Sequence, residues 1–214
     1  MKTLTRGILI SVEGIDGAGK STLVNHLVHQ LKDRGYPALA TREPGATQLG
    51  AVIREIVQKK EVARTYQAEY LLFAADRAQH FHEIVIPALQ RTMLVISDRM
   101  SDSSLVYQGY ARGLCRDKIA TINAWTMQGY QLDLTLYLKI DAQTALQRLT
   151  RRAQALTVFE EKQAFTHKLI EGFDQLFANN PRVCHLDGTL EPTTLCSVAL
   201  TKLETWIHNK KLVL

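Results

Sequence analysis

The run Gly14-Ile15-Asp16-Gly17-Ala18-Gly19-Lys20-Ser21-Thr22 constrains this chain more than any other stretch. It fits the pattern G-x-x-x-x-G-K-[ST], with an apolar, strand-like segment (7–13) before it and a segment of helical period (21–34) after it. In that context the pattern is a phosphate-binding loop, or P-loop. Its glycines let the main chain wrap closely and aim N–H groups at phosphate oxygens. The helix start adds the positive end of its dipole. Lys20 is placed to reach β- and γ-phosphates, and the Ser21 hydroxyl is a ligand for Mg²⁺. The expected ATP cradle is therefore Gly14, Ile15, Asp16, Gly17, Ala18, Gly19, Lys20, Ser21 and Thr22.

The rest of the chain alternates in the same way. Strand candidates at 7–13, 38–41, 93–98, 134–140 and 183–186 are separated by helical segments at 21–34, 49–59, 68–90, 118–127, 144–152, 160–176 and 193–209. Alternation of this kind predicts a three-layer α/β domain, a mostly parallel sheet of about five strands with helices on both faces. No repeat or linker divides it, so 1–214 is expected to be one domain. Its site belongs at the carboxyl ends of the strands.

Several classes are disfavoured. No apolar run approaches the ~18 residues that cross a bilayer. The charged start of the chain does not resemble a signal peptide. Three cysteines without CxxC spacing favour free thiols, and His80 and His82 at i, i+2 point apart on a helix, against a metal site. These features make the cytoplasm the expected location, with no membrane partner. The net charge of +5 suits anionic ligands, but no run of five basic residues points to nucleic acid. A GTPase would need an NKxD motif, and the nearest approach, Asn209-Lys210-Lys211-Leu212, lacks the Asp. Small kinases of nucleotides or similar metabolites remain. The third strand ends in Asp98-Arg99, an acid for positioning Mg²⁺ and a cation for a second phosphate.

Beyond the P-loop, the stretches Thr41-Arg42-Glu43-Pro44-Gly45, Phe73-Ala74-Ala75-Asp76-Arg77-Ala78-Gln79, Ser97-Asp98-Arg99, Ser103, Tyr107-Gln108-Gly109, Arg112-Gly113 and Asp133-Leu134-Thr135-Leu136-Tyr137-Leu138 follow in order. On these residues the chain resembles the bacterial thymidylate kinases, over about residues 8 to 152. The resemblance implies a P-loop kinase fold that phosphorylates dTMP to dTDP with ATP and Mg²⁺, the catalytic groups being Lys20, Asp16, Arg99, Arg148 and Arg152. It implies that Phe73 stacks on thymine and that Arg77, one helical turn on, donates to the base. A donor aimed at O4 favours thymine over cytosine, whose 4-amino group is itself a donor. Arg99 and Arg54 match positions that hold the acceptor phosphate. Asp16, Glu43 and Pro44 match positions lining its sugar and phosphate end, Ser103 and Gln108 positions near the base, and Tyr107 one that crowds a ribose 2′-hydroxyl. Ser21 and Asp98 are the implied metal ligands. A lid at about 148–160 is implied to supply Arg148 and Arg152, and a homodimer of packed helices is implied too.

The chain departs from the family where the lid usually carries Asp-Arg-Ile-Glu, having Leu156-Thr157-Val158-Phe159 instead, and also at Leu132 and Ala46. Two other readings stay open on the residues. One is a deoxynucleoside kinase, or a kinase of another pyrimidine monophosphate, with Glu43 as a base for a neutral hydroxyl. The other is a relative that binds nucleotide without turning it over.

Overall fold

The computed structural model describes residues 2–59, 63–152 and 159–213, with side chains outside 151–162. The first strand, β1 (Ile8–Glu13), is buried at every residue. Its neighbours are β3 (Leu94–Asp98) and β4 (Leu134–Lys139), beyond which lie β2 (Ala38–Arg42) and β5 (Val183–Asp187). The order is β2-β3-β1-β4-β5, and every pairing is parallel. Such strands read as near-continuous apolar runs because helices cover both faces.

Alternation assigns the faces. Ile8, Ile10 and Val12 pack with α1 (Lys20–Asp33), α8 (Phe159–Phe177) and α9 (Pro192–Asn209). Leu9 and Val95 point the other way, onto Phe81, Val85 and Leu89. On the first face Tyr137 lies 5.5 Å from Phe173 and 5.1 Å from Phe177, an aromatic cluster that ties α8 to β4. The register pairs Val12 with Asp98 and Asp98 with Arg42, bringing the carboxyl ends of three strands to one edge. At β1 the chain's progress across the sheet reverses, which makes that edge the place for a ligand.

The expected strands fall within two residues of those observed. Two helical regions differ. The segment expected at 68–90 starts two residues earlier, where the Thr65 side chain accepts from Ala68 N, giving α3 (Tyr66–His80). It then widens into a π-helical stretch (Phe81–Val85) before α4 (Ile86–Gln90). Pro87 explains the widening, since it has no N–H to return to residue 83 and its ring crowds that carbonyl. The second difference is a helix that the sequence did not announce, α5 (Ser101–Ser104) running into a π-helical stretch (Leu105–Ala111). Three serines and a glycine gave it little intrinsic helical signal. The remaining helices are α2 (Gln48–Gln58), α6 (Arg116–Thr126) and α7 (Ala142–Arg152). Among the described residues, no helix is long and apolar enough to cross a membrane.

Candidate active site

The loop after β1 turns at Gly14 and Gly17, both at positive φ. A Cβ on either would stand 2.7 Å from a carbonyl oxygen, of Leu138 and Ala145 respectively, so both backbone conformation and close approach require glycine. Ile15 and Ala18 are buried in the core. The loop is thus anchored by its side chains. Lys20, the first residue of α1, has its ammonium buried against the loop, donating to Ile15 O at 2.8 Å. Burial and the nearby Arg99 charge lower its pKa to about 8. Ser21 Oγ donates to Asp98 Oδ2 at the end of β3. A hydroxyl and a carboxylate oxygen side by side are the hard donors that Mg²⁺ prefers, so this pair fits the ion.

Arg99 follows, at φ 70. Its Nη2 donates to Asp16 Oδ1 at 2.6 Å and to Tyr107 OH at 2.9 Å, and its Nη1 to Ser103 Oγ at 3.0 Å. Burial opposes the Arg99 charge, but the Tyr107 oxygen and the carboxylates of Asp16, Glu13 and Asp98 outweigh it and push the pKa up. Burial likewise opposes ionisation of Asp16, yet Arg99 and Lys20 hold its carboxyl at about 2. With 64% of the Asp16 side chain exposed, water screens that pair, and its value lies in orientation more than in stability.

Glu13 stands behind Arg99 and was not singled out from the sequence, although a lone acid closing the apolar run Ile8–Glu13 was the available signal. It is fully buried. Oε1 accepts from Met100 N at 2.8 Å and Oε2 from Ser103 Oγ at 2.6 Å, fixing the turn that carries Arg99. Burial, helped by the Asp102 carboxylate, raises its pKa from 4.5 to about 8. The folded protein therefore keeps a proton that the unfolded chain releases near 4.5, so this contribution to stability is complete below that pH, falls as pH rises, and is gone above about 8. Glu13→Gln copies the protonated acid. Thermal unfolding followed from pH 6 to 9 is expected to show the wild-type Tm falling relative to that of the variant, whereas parallel curves would remove Glu13 as the source.

At the far end, α3 presents Phe73 and Arg77 one turn apart. Phe73 is partly buried; Arg77 is 2% exposed. Each guanidinium nitrogen of Arg77 has a protein acceptor: Nε on Glu43 Oε2 at 2.8 Å, Nη1 on Asn123 Oδ1 at 2.6 Å, and Nη2 on Ser104 Oγ at 3.1 Å. The other Glu43 oxygen meets His80 Nδ1 at 3.0 Å. Burial would raise the Glu43 pKa, but Arg77 and His80 hold it below the usual carboxylate range. A carboxylate engaged on both oxygens and lowered in pKa is a poor general base. Arg54 donates to Pro44 O at 2.9 Å, and Gln108 to Glu69 at 3.1 Å.

All ten residues expected around the acceptor (Asp16, Glu43, Pro44, Arg54, Phe73, Arg77, Arg99, Ser103, Tyr107 and Gln108) line one cleft of 790 Å³. Gly17, Gly19, Lys20, Ser21, Thr22 and Asp98 line it too, while Gly14, Ile15 and Ala18 are buried and outside its lining. Arg148 stands apart from this lining. It donates to Gly188 O at 2.8 Å and lies 3.5 Å from Gly17 O, bridging the P-loop to the turn after β5. Arg152 ends α7, but its side chain lies outside the described residues, as do residues 153–158 of the expected lid. Ser104, Asn123 and His80 were not anticipated. Their roles arise from contacts across the fold, and only Ser104, beside Ser103, had a sequence cue.

Comparison with known proteins adds an independent finding. The family model "Thymidylate kinase" matches residues 12–196. A thymidylate kinase of Caldanaerobacter subterraneus subsp. tengcongensis is 38% identical over 208 residues, 96% of this chain and 99% of that one. The thymidylate kinase of Halothermothrix orenii is 45% identical over 143 residues, 67% of this chain and 69% of its own. That of a Synechococcus strain is 42% identical over 177 residues, 79% of this chain and 84% of its own.

Proposed function

This chain belongs to the thymidylate kinase family, and on that premise we propose how its cleft transfers a phosphoryl group. The enzyme phosphorylates dTMP to dTDP with ATP as donor. The observation that carries the reading is a single cleft lined together by the P-loop lysine Lys20, Arg99 and the Phe73–Arg77 pair.

A dTMP phosphate oxygen attacks the γ-phosphorus of ATP in line, its new P–O bond forming as the bond to the β-phosphate oxygen breaks and ADP leaves. No strong base is required, because the acceptor's second pKa of about 6 leaves its oxygen anionic at neutral pH. The barrier is the meeting of two anions, and fixed positive charge with alignment lowers it. Loop amides from Gly14 to Thr22 grip the β-phosphate, and Lys20 spans the β- and γ-phosphates. Arg99 and Arg54 hold the acceptor phosphate, with Asp16, Glu43 and Pro44 around its sugar and phosphate end. Phe73 stacks on the base, Arg77 donates to it with Ser103 and Gln108 nearby, and Tyr107 crowds a 2′-hydroxyl. Arg148, braced on the Gly188 carbonyl beside the P-loop, and Arg152 add positive charge from the lid side. Mg²⁺, held by Ser21 and Asp98, supplies charge neutralisation at the phosphates when bound.

The protein works in the cytoplasm as a homodimer. Supporting the dimer, Leu49 and Val52 of α2, Leu71 of α3 and Trp125 of α6 are exposed, Trp125 at 79%, and α3 packs on both α2 and α6. Three neighbouring helices with bare apolar side chains suit a second copy.

A coupled ADP-release assay with dTMP, dUMP, UMP, dCMP and thymidine tests the reading. Turnover is expected to be highest with dTMP and minimal with thymidine, whose neutral hydroxyl needs a base that engaged Glu43 does not provide. Preferred use of thymidine would overturn the acceptor assignment.

A further inference from the structure

Arg77 is buried, yet the proposed role asks it to present N–H groups to a base in a fixed direction. Five donors leave its guanidinium, and three are taken by Glu43, Asn123 and Ser104. The Glu43 and Ser104 contacts come from the walls of the cleft. Asn123 comes from behind, on α6, and does not line the cleft. Its amide is itself oriented. Oδ1 accepts from Arg77 Nη1 at 2.6 Å and from Tyr70 OH at 3.0 Å, while Nδ2 donates to Ser101 O at 3.2 Å. Donors on one side and a carbonyl on the other leave only one orientation for the amide. Asn123 is 4% exposed, so no water competes freely for its oxygen.

We infer that Asn123 is a positioning residue for base selection: it holds the Arg77 guanidinium so that its remaining N–H groups face a pyrimidine 4-oxo group and oppose a 4-amino group. The inference rests on the reading of Arg77 as the donor to the base. Glu43 at Nε sets the reach of the side chain, and Asn123 at Nη1 sets the rotation of its plane. Without Asn123, the plane is held only by Glu43 at Nε and by the rotatable Ser104 hydroxyl at 3.1 Å, so a cytosine amino group is met by a less firmly fixed donor. The 5-methyl group of thymine is on another part of the ring, so discrimination against uracil does not pass through this contact.

The test measures kcat/KM for dTMP, dCMP and dUMP in Asn123→Ala, Asn123→Asp and Arg77→Ala, with KM for ATP alongside. In Asn123→Ala the dTMP/dCMP ratio is expected to fall about ten-fold, the size of one loosened charge-assisted hydrogen bond. The dTMP/dUMP ratio and KM for ATP are expected to stay as in the wild type. Asn123→Asp keeps the acceptor for Arg77 but loses the donor to Ser101 O, and is expected to keep more of the dTMP/dCMP ratio than Asn123→Ala. Should Asn123→Ala not fold, Asn123→Ser, too short to reach Arg77, takes its place in the comparison. An unchanged dTMP/dCMP ratio in Asn123→Ala or Asn123→Ser beside a collapsed one in Arg77→Ala overturns the positioning role and leaves the Arg77 reading intact. Equal falls in both ratios overturn it as well, since they mean a generally loosened pocket. An unchanged dTMP/dCMP ratio in Arg77→Ala removes the Arg77 reading and this inference with it.

Discussion

Lys20→Ala is expected to lower kcat for dTMP phosphorylation about a thousand-fold, which corresponds to about 4 kcal/mol of transition-state stabilisation. Lys20 is a cation of the cleft that α1 positions directly, its ammonium already 2.8 Å from the loop carbonyl of Ile15. In the proposed mechanism it reaches phosphate with little of the side-chain ordering that a solvent-exposed lysine must undergo. Alanine removes that charge from the site where negative charge is redistributed and leaves the loop backbone, fixed by Gly14 and Gly17, in place. The variant is therefore expected to unfold near the wild-type Tm while losing turnover. Lys20→Arg restores charge but not the compact point contact, so it should recover only part of the loss. The lowered pKa adds a signature. In the free enzyme Lys20 loses its proton as pH rises through about 8, so kcat/KM for ATP is expected to decline above that value. Near-normal steady-state turnover in Lys20→Ala would remove this residue from the mechanism.

The parts of this molecule that were legible in the sequence share a physical cause. Strands buried on both faces must be apolar along their whole length, so 7–13, 93–98 and 134–140 announced themselves and the parallel sheet followed. The P-loop was legible because a backbone that wraps phosphate tolerates few residue types, and Gly14 and Gly17 meet carbonyl oxygens where a Cβ would stand. Phe73 and Arg77 were legible as neighbours because the helical period alone puts them on one face. Residues whose partners lie far along the chain were not. Glu13 meets Met100 and Ser103, and Asn123 meets Arg77, across separations that no local pattern records. The helix at 101–111 was hidden because tertiary packing, and not propensity, holds it: its π-helical part lies against α6 and α8. Arg148 shows the same limit from the other side. The resemblance placed it with the lid, and its bond to the Gly188 carbonyl beside the P-loop is a long-range contact that no local pattern records.

Arg99→Ala is expected to lower kcat/KM for dTMP by about a thousand-fold or more, with a much smaller change in KM for ATP. Two effects add. In the proposed mechanism the acceptor phosphate loses its central cation, and Asp16 loses the partner that faces it at 2.6 Å, leaving a bare carboxylate where the incoming dianion would sit. Like charges at that distance oppose binding before any chemistry begins. Backbone strain complicates the stability side. Arg99 sits at φ 70, a conformation that costs an L-residue roughly 1–2 kcal/mol and glycine almost nothing. Arg99→Gly is therefore expected to unfold at a higher temperature than Arg99→Ala while being equally poor with dTMP. That pairing separates lost binding from lost folding, since a purely structural role for Arg99 would let the more stable glycine variant recover activity. Arg99→Lys keeps the charge but cannot span Ser103, Asp16 and Tyr107 together, so it should fall between wild type and alanine. Isothermal titration of dTMP into the three variants, run beside the ADP-release assay, checks the order. Wild-type affinity in Arg99→Ala would place the acceptor phosphate elsewhere in the cleft.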